Sequence, residues 1–274
     1  MSKAFKSLSA LLILIPTLLW GQEQDVHPMI GDKFMLIAGI FFPEKEFEVQ
    51  VNGSSPGREI DFGDRFRINS SDSTGAANFR WRFGEKWSVA GQFWTLNDSS
   101  TATLDEDISW EDVVIEEGTF VKGYTEIDVA RVFFGRSFSK SEQHEFGLGF
   151  GLHWLEVGAG IEAQLLTSEG NSELYRGAVK ADAPLPNIGA WYTYAFSSSW
   201  AISTRLDWLS ASIGDYSGGL TNAAVGLDWA IFKHFGAGIS YNYFNLNLDV
   251  DKNSWRGGAD VTQHGPFVQI NVHW

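Results

Sequence analysis

The chain has 274 residues, of which 20% are charged, and its formal net charge is −14. It contains no cysteine, which excludes disulfide bonds, thiol catalysis and cysteine-type zinc sites. The acidic balance argues against a nucleic-acid partner, because binding to phosphates needs a basic surface. The aromatic content is high, with 21 Phe, 12 Trp and 7 Tyr, which argues against a disordered chain.

The N-terminal residues have the pattern of a cleaved secretory signal peptide. Two lysines precede an apolar stretch over residues 10–20, and the small residue Gly21 follows it. A single membrane anchor is the alternative, but the stretch is shorter than the ~20 residues of a spanning helix and Pro16 interrupts it. The sequence therefore predicts a signal peptide over residues 1–21 and an exported domain over residues 22–274.

From residue 33 onward, apolar and polar residues alternate with the period of two that is typical of β-strands. Over residues 146–154, for example, large apolar side chains alternate with Gly and His. Each such segment allows the ~9–11 residues of a tilted membrane-spanning strand. The pattern predicts ten strands, over residues 33–42, 75–83, 87–101, 120–138, 145–162, 187–196, 200–212, 221–232, 235–248 and 261–274.

Three features favour a membrane barrel over a soluble β-sandwich. Large aromatic residues flank the apolar face, the opposite face carries Arg, Asp, His, Gln and Gly, and short turns alternate with long loops. Aromatic girdles, polar interiors and short turns on one side are properties of outer-membrane barrels. The predicted fold class is all-β, a transmembrane antiparallel up-and-down β-barrel of about ten strands, with twelve or eight as alternatives. Long outer loops are expected over residues 43–74, 102–119, 163–186, 213–220 and 249–260.

The last eight residues resemble the C-terminal recognition strand of bacterial outer-membrane β-barrel proteins, because they alternate and end on an aromatic residue. The segment 107–118, followed by the strand 126–138, is also similar to uncharacterised proteobacterial barrels. The resemblance implies a location in the outer membrane, contact with the lipid bilayer and lipopolysaccharide, and assembly by the barrel-assembly machinery. An even number of strands places both termini on the periplasmic side. The assembly signal would consist of Phe267, Val268, Ile270, Val272 and Trp274.

The pattern leaves two details open. Weak alternation over residues 47–51 and 59–62 fits either a hairpin above the membrane or two further spanning strands. The acidic residues in this region favour the hairpin, because charges are costly in lipid. In the fourth strand, Arg131 falls on the same face as Ile127 and Val129, which indicates either a β-bulge or an incorrect register.

The polar face of the strands predicts charged groups inside the barrel. A ten-stranded barrel is narrow, and buried charges must be paired, so we expect an Arg–Asp network that plugs the interior. A narrow polar passage or a small-solute site is the alternative. The expected interior residues are Arg80, Arg82, Asp128, His153, Arg205, Asp207, Asp228, Asn242, Gln269, Asn271 and His273.

No group of residues in the sequence indicates a particular chemistry. Catalysis at the outer rim would need an acid, a base and a nucleophile there, and only His264 lies near an outer loop. The acidic loop residues lack the spacing of an EF-hand, so neither a metal nor a cofactor is expected. The sequence favours a structural, loop-mediated binding or narrow transport role. The alternative is an outer-membrane enzyme that acts on lipid A or peptides.

Overall fold

A computed structural model describes residues 26–52, 60–61, 73–105, 107–110, 113–166, 172–213, 216–251 and 256–274. The predicted signal peptide, residues 1–21, lies outside the described residues. Within the described ranges there is one short helix, α1 (Pro28–Gly31), and nearly all other residues belong to strands. No described helix is long and apolar enough to cross a membrane.

Fourteen strands are found in the described part of the chain. They are β1 (Phe34–Phe41), β2 (Glu44–Asn52), β3 (Ile60–Asp61), β4 (Thr74–Phe83), β5 (Trp87–Thr103), β6 (Ile108–Trp110), β7 (Val113–Ile115), β8 (Phe120–Lys140), β9 (His144–Leu166), β10 (Ser172–Ala195), β11 (Trp200–Ile213), β12 (Tyr216–Phe232), β13 (Phe235–Asp251) and β14 (Arg256–His273).

Ten of these strands form a closed antiparallel barrel. The order is β1-β4-β5-β8-β9-β10-β11-β12-β13-β14, and β14 pairs back onto β1 from Met35 opposite His273 to Phe41 opposite Phe267. Short connections at residues 84–86, 141–143, 196–199 and 233–234 lie at one end, which we call the turn end; the opposite end is the loop end. This architecture confirms the predicted fold class and the count of ten strands.

β1 and β2 pair one after the other with the same neighbouring strand, β14, and a short break separates them. β1 ends at Phe41, and β2 begins at Glu44 and continues beside β14, from Glu44 opposite His264 to Asn52 opposite Arg256. β3 then pairs with β2 over two residues only. The region around residues 47–61 therefore contains the start of a hairpin, as expected, but its first arm extends the barrel wall. It does not supply two further spanning strands.

Several wall strands are much longer than a membrane requires. β9 has 23 residues. At ~3.3 Å per residue it is about 75 Å long, and even a ~45° tilt leaves it longer than a hydrocarbon core of ~30 Å. β10 likewise has 24 residues and occupies most of the expected loop 163–186. That loop assignment was wrong, because the wall continues well beyond the lipid.

The polarity of the wall reverses halfway along these long strands. On β9, Phe150 and Leu152 face outward and are 63% and 41% exposed, whereas Glu156 and Glu162 occupy the same outward face further on. The inward face changes in the opposite sense, because the buried His153 is followed by the buried Leu155 and Ile161. The barrel therefore has a turn half with an apolar outside and a loop half with a polar outside and an apolar inside.

Aromatic rings surround the turn end on the outside. At the closure of the barrel, Phe34 stacks on Trp81 at 6.0 Å and on Trp274 at 5.5 Å between ring centroids. On the other side, Trp200 stacks on Trp229 at 5.4 Å. Aromatic rings of this kind, and above all the tryptophans with their polar N–H group, suit the boundary between lipid and water.

Candidate functional site: the barrel interior

The N-terminal segment closes the barrel at the turn end. His27, Met29 and Ile30 are buried, and Met29 and Ile30 pack against inward-facing residues of the wall, Met35, Ala195 and Ala201. The Nδ1 atom of His27 accepts a hydrogen bond from the backbone N–H of Met29 at 3.1 Å, which caps the start of α1. Burial lowers the pKa of His27 to about 4, and this residue therefore favours the docked segment only in its neutral form.

Arg82 binds the N-terminal segment, residues 26–33, to the wall; we call this segment the plug. Its guanidinium donates to the backbone carbonyls of Met29 at 2.8 Å and Ile30 at 2.6 Å, and it forms an ion pair with Glu145. Glu145 also accepts a hydrogen bond from Ser137. Because the carbonyls at the end of a helix lack partners within the helix, a charged donor at this position stabilises the plug.

A cavity of about 200 Å³ lies next to the plug, inside the turn half. Met29 of the plug forms part of its lining, and the charged groups at its wall include Arg80, Arg205 and Asp228. Asp228 accepts hydrogen bonds from Ser203 at 3.0 Å and from Gln269 at 2.9 Å. The remaining polar lining includes Asn78, Gln92, Ser240 and Asn242, and the aromatic lining includes Phe133, Trp191 and Phe267.

The glycines of β9 make room for the aromatic part of this lining. Trp191 projects into the interior and meets Phe133 edge-on, with ring centroids 6.1 Å apart. A Cβ atom on Gly147 or Gly135 would overlap the Trp191 indole. The alternation of glycine with large residues on β9 thus has a packing cause: one face of the strand meets lipid, and the other leaves space for rings from neighbouring strands.

A belt of polar side chains crosses the barrel beside the cavity and shares Gln92, Arg131 and Arg205 with its lining. Arg131 holds Asp207 through its Nη2 atom at 2.8 Å and its Nε atom at 2.7 Å, and both side chains are almost fully buried. Asp207 also lies 3.9 Å from the Nε atom of Arg205, whose Nη2 atom donates to Oδ1 of Asn222 at 3.2 Å. The bidentate contact pairs two charges that would otherwise be very costly inside the barrel.

His153 joins the same belt through two amides. Its Nδ1 atom lies 3.1 Å from Oδ1 of Asn187, and its Nε2 atom lies 3.2 Å from Nδ2 of Asn222. An amide oxygen can only accept and an amide nitrogen can only donate, so the imidazole carries its proton on Nδ1. Asn222 also donates to Gln92 at 3.2 Å, which extends the belt to β5.

An apolar cluster fills the interior of the loop half. Its buried residues come from six strands and are Trp94, Leu96, Ile127, Val129, Leu155, Leu220, Phe244, Leu246, Leu248 and Val261. On the loop side of Leu96, the buried Lys45 and Asp98 form an ion pair at 3.7 Å. This part of the barrel is built like a soluble β-domain, with an apolar core and a charged exterior.

The structure places six of the seven charged residues predicted for the lumen on the inward face. These are Arg80, Arg82, His153, Arg205, Asp207 and Asp228. Asp128 requires a correction, because it alternates with Ile127 and Val129, which are 1% and 0% exposed, and it therefore faces outward. The cause is the reversed polarity of the loop half, where charged residues belong to the outside.

The sequence reasoning missed two inward partners. Arg131, which seemed out of register, lies on the inward face together with Ile127 and Val129 and needs no bulge there. It is the main partner of Asp207. Glu145, the partner of Arg82, is the first polar residue of the alternating face of β9. The position of Arg131 on the same face as Ile127 and Val129 was the signal in the sequence that could have revealed the reversal of wall polarity.

The predicted assembly-signal residues lie on both faces of β14. Val268, Ile270, Val272 and Trp274 are exposed on the outward face, whereas Phe267 is buried inside. Gln269, Asn271 and His273 alternate with them on the inward face. Trp274 also receives the backbone N–H groups of Lys33 and Phe34 on its carbonyl oxygen, which fixes the end of the closing strand.

The described residues show no group of three or more His, Asp or Glu side chains that could hold a metal ion. Asp107 and Glu117, from the acidic loop, are exposed, and the Asp107 carboxylate accepts the Glu117 backbone N–H at 2.8 Å. His264, the histidine expected near an outer loop, faces outward and bonds Tyr241 at 2.7 Å. An enzymatic role at the outer rim therefore stays a prediction.

Three solved structures illustrate what the chain is similar to. The outer membrane protease OmpT from Escherichia coli matches at 11% identity, over 92% of this chain and 99% of that chain, with a TM-score of 0.53. The outer membrane protein OprG from Pseudomonas aeruginosa matches at 8% identity, over 92% and 99% of the two chains, with a TM-score of 0.39. The toluene transporter TbuX from Ralstonia pickettii matches at 9% identity, over 92% of each chain, with a TM-score of 0.39.

No protein-family model matches the sequence, and the search among curated proteins found no match. The likeness to OmpT extends over nearly the whole of both chains and shows the fold alone. Together with the closed ten-stranded wall and its apolar outer face, it shows that the chain has the fold of bacterial outer-membrane β-barrel proteins.

Proposed function

We propose that this protein is a closed outer-membrane barrel with a structural and loop-mediated binding role. The observation that carries the proposal is the filling of the interior at three levels. The N-terminal plug covers the turn end, the belt around Arg131 and Asp207 crosses the middle, and the apolar cluster fills the loop half. Water and ions do not pass freely through such an interior, so the loop end is the part left for binding.

A narrow transport role is the second candidate, and the cavity beside the plug favours it. The cavity already provides polar space within the turn half, next to a segment of a few residues that could be displaced. Passage would require both the plug and the polar belt to rearrange. This role therefore corresponds to gated movement of single small molecules and differs from general diffusion.

Planar-bilayer conductance tests the closed state. We expect the wild-type protein to give no stable conductance, and Asp207→Ala to give intermittent leakage, because the Arg131 and Arg205 charges then lose their shared partner. Asp182→Ala, an exposed outward carboxylate on β10, is the matched control and should stay silent. Large and stable wild-type conductance would replace the closed barrel with a channel.

We also propose lipid, lipopolysaccharide and the barrel-assembly machinery as the partners of this protein. The exposed apolar residues of β14 support a lipid contact and a C-terminal assembly signal. Deletion of Trp274 should lower the amount of assembled barrel strongly, whereas Lys233→Ala, in an exposed turn, should leave it near the wild-type level. Equal amounts of heat-modifiable protein for both variants would contradict the assembly role.

A further inference from the structure

The charges inside the turn half and the belt are unevenly paired. The inward-facing charged residues of the spanning strands described there are Arg80, Arg82, Arg131 and Arg205 against Glu145, Asp207 and Asp228. Arg82 is paired with Glu145, and Arg131 is paired with Asp207. At the turn end, Asp32 is held by His273 at 2.7 Å. Together with Asp32, four carboxylates lie near these four arginines, but within the described ranges only Arg82 and Arg131 of the four are held in close ion pairs.

Arg80 is the arginine with the weakest set of partners. Among the described residues it forms no ion pair, and the hydrogen bond from its Nη2 atom to the carbonyl of Pro28 is long, at 3.5 Å. Its buried Nε atom has no hydrogen-bond partner, and the same holds for Nε of Arg205. Both residues line the cavity of about 200 Å³. Buried polar atoms without partners are uncommon and call for a ligand or another explanation.

Each of these two arginines has an alanine beside it on the adjacent strand. Ala90 is the register neighbour of Arg80 on β5, and Ala224 is the register neighbour of Arg205 on β12. Both alanines line the cavity. Small residues beside two guanidinium groups leave space next to the charges, whereas a larger side chain would fill it.

We propose that this cavity is a binding site for a small organic carboxylate, held by Arg80 and Arg205. A guanidinium group matches a carboxylate in shape and charge, and a ligand carboxylate would give Arg80 the ion-pair partner that it lacks. Asp228 forms no ion pair with Arg80 in the described structure, and it accepts hydrogen bonds from Ser203 and Gln269. The rings of Phe133, Trp191 and Phe267 supply an apolar wall for the rest of the ligand.

The binding site is independent of the proposed closed state, because a closed barrel can still enclose a ligand. Met29 of the plug lines the cavity, so the ligand would enter or leave from the turn end when the plug undocks. The outcome of the conductance experiment and the outcome of a binding experiment can therefore differ. A silent barrel that binds a carboxylate is consistent with both proposals.

The test uses the full exported barrel, refolded in detergent micelles, with benzoate as the probe and benzamide as its neutral counterpart. Each probe is supplied both during refolding and afterwards, and binding is measured by isothermal titration calorimetry and by ligand-detected NMR. We expect saturable binding of benzoate and at least tenfold weaker binding of benzamide. Inorganic phosphate serves as a second anion, and it should bind more weakly because it gains nothing from the apolar wall.

Three variants assign the binding to the cavity. Arg80→Gln should weaken benzoate binding at least tenfold, and Ala90→Leu should abolish it while both arginines remain. Arg176→Gln, which removes an exposed arginine of the loop half, is the control and should bind within twofold of the wild type. Heat-modifiable mobility verifies folding of each variant, and Ala90→Leu remains decisive if Arg80→Gln does not fold. Absent benzoate binding, equal benzamide binding, tighter phosphate binding, or benzoate binding unchanged by Arg80→Gln or Ala90→Leu would overturn the proposal.

Discussion

The turn half and the loop half of this barrel obey the same alternation and bury opposite kinds of residue. In the turn half, Leu152 faces out and His153 faces in; a few residues further along β9, Glu156 faces out and Ile161 faces in. The wall and its hydrogen bonds continue unchanged through the reversal. The comparison teaches that strand geometry decides only which residues share a face. The surrounding medium, lipid or water, decides which face is apolar.

The largest effect should come from breaking the polar belt. Asp207→Ala leaves the Arg131 and Arg205 charges inside the barrel without their carboxylate, and we expect a loss of about 3–5 kcal/mol in the free energy of unfolding. Urea unfolding in detergent, followed by heat-modifiable mobility, measures it. The double variant Arg131→Met with Asp207→Leu should lose less stability than the sum of the losses for Arg131→Met alone and Asp207→Leu alone. Purely additive losses would show that the pair is not coupled.

The apolar cluster of the loop half should respond to truncation as a soluble core does. Leu155 is fully buried there, and Leu155→Ala should cost about 2–5 kcal/mol through the lost contacts and the cavity left behind. Leu152→Ala, three residues away on the outward face of the turn half, should cost less, because lipid fills the space. Equal losses in urea unfolding from lipid vesicles would remove the distinction between the two halves.

The reversal of the outer face can be tested on a single strand. Ile188 and Leu174 both face outward on β10 and are 61% and 50% exposed. Ile188→Arg should destabilise the barrel in lipid by about 2–4 kcal/mol, because it places a charge on the membrane face. Leu174→Arg should change stability by less than about 0.5 kcal/mol, as for an exposed residue in water. A comparable loss for Leu174→Arg would mean that lipid covers the loop half as well.

The smallest effect concerns the plug and its dependence on pH. His27 has its pKa lowered to about 4 from 6.5, so the docked plug binds its proton less readily than the undocked segment. The groups that face it include His273, Arg80 and Asp32. Docking should therefore be strongest above about pH 6.5 and should weaken as the pH falls from there toward 4.

Hydrogen exchange of residues 26–33, corrected for the intrinsic effect of pH, measures this docking. His27→Gln should remove most of the dependence between pH 6.5 and 4, while His144→Gln, at an exposed turn, should leave it in place. An unchanged profile for His27→Gln would assign the pH response to another group.

Much of the site could be predicted from the sequence, and the rest depended on contacts between strands that are distant in the chain. The inward positions of Arg205 and Asp207 follow from alternation alone, because both share one face of β11. The pairing of Asp207 with Arg131 does not follow from alternation, because the two residues are 76 positions apart in the chain. No local pattern indicates which strands face each other across the lumen. The plug was likewise hidden, because residues 26–33 show no periodicity to distinguish them from a linker.

The sequence by itself determined the strand period, the even number of wall strands, the lipid-facing aromatic residues and the short turns. These are local properties, since each follows from side chains two residues apart or from one turn. Tertiary structure alone decided where the outer face changes from apolar to polar, and with it the outward position of Asp128 and the inward position of Arg131. The reason is physical: a residue's environment depends on its height along the barrel and on what fills the lumen opposite, and both are fixed only when all ten strands are in register.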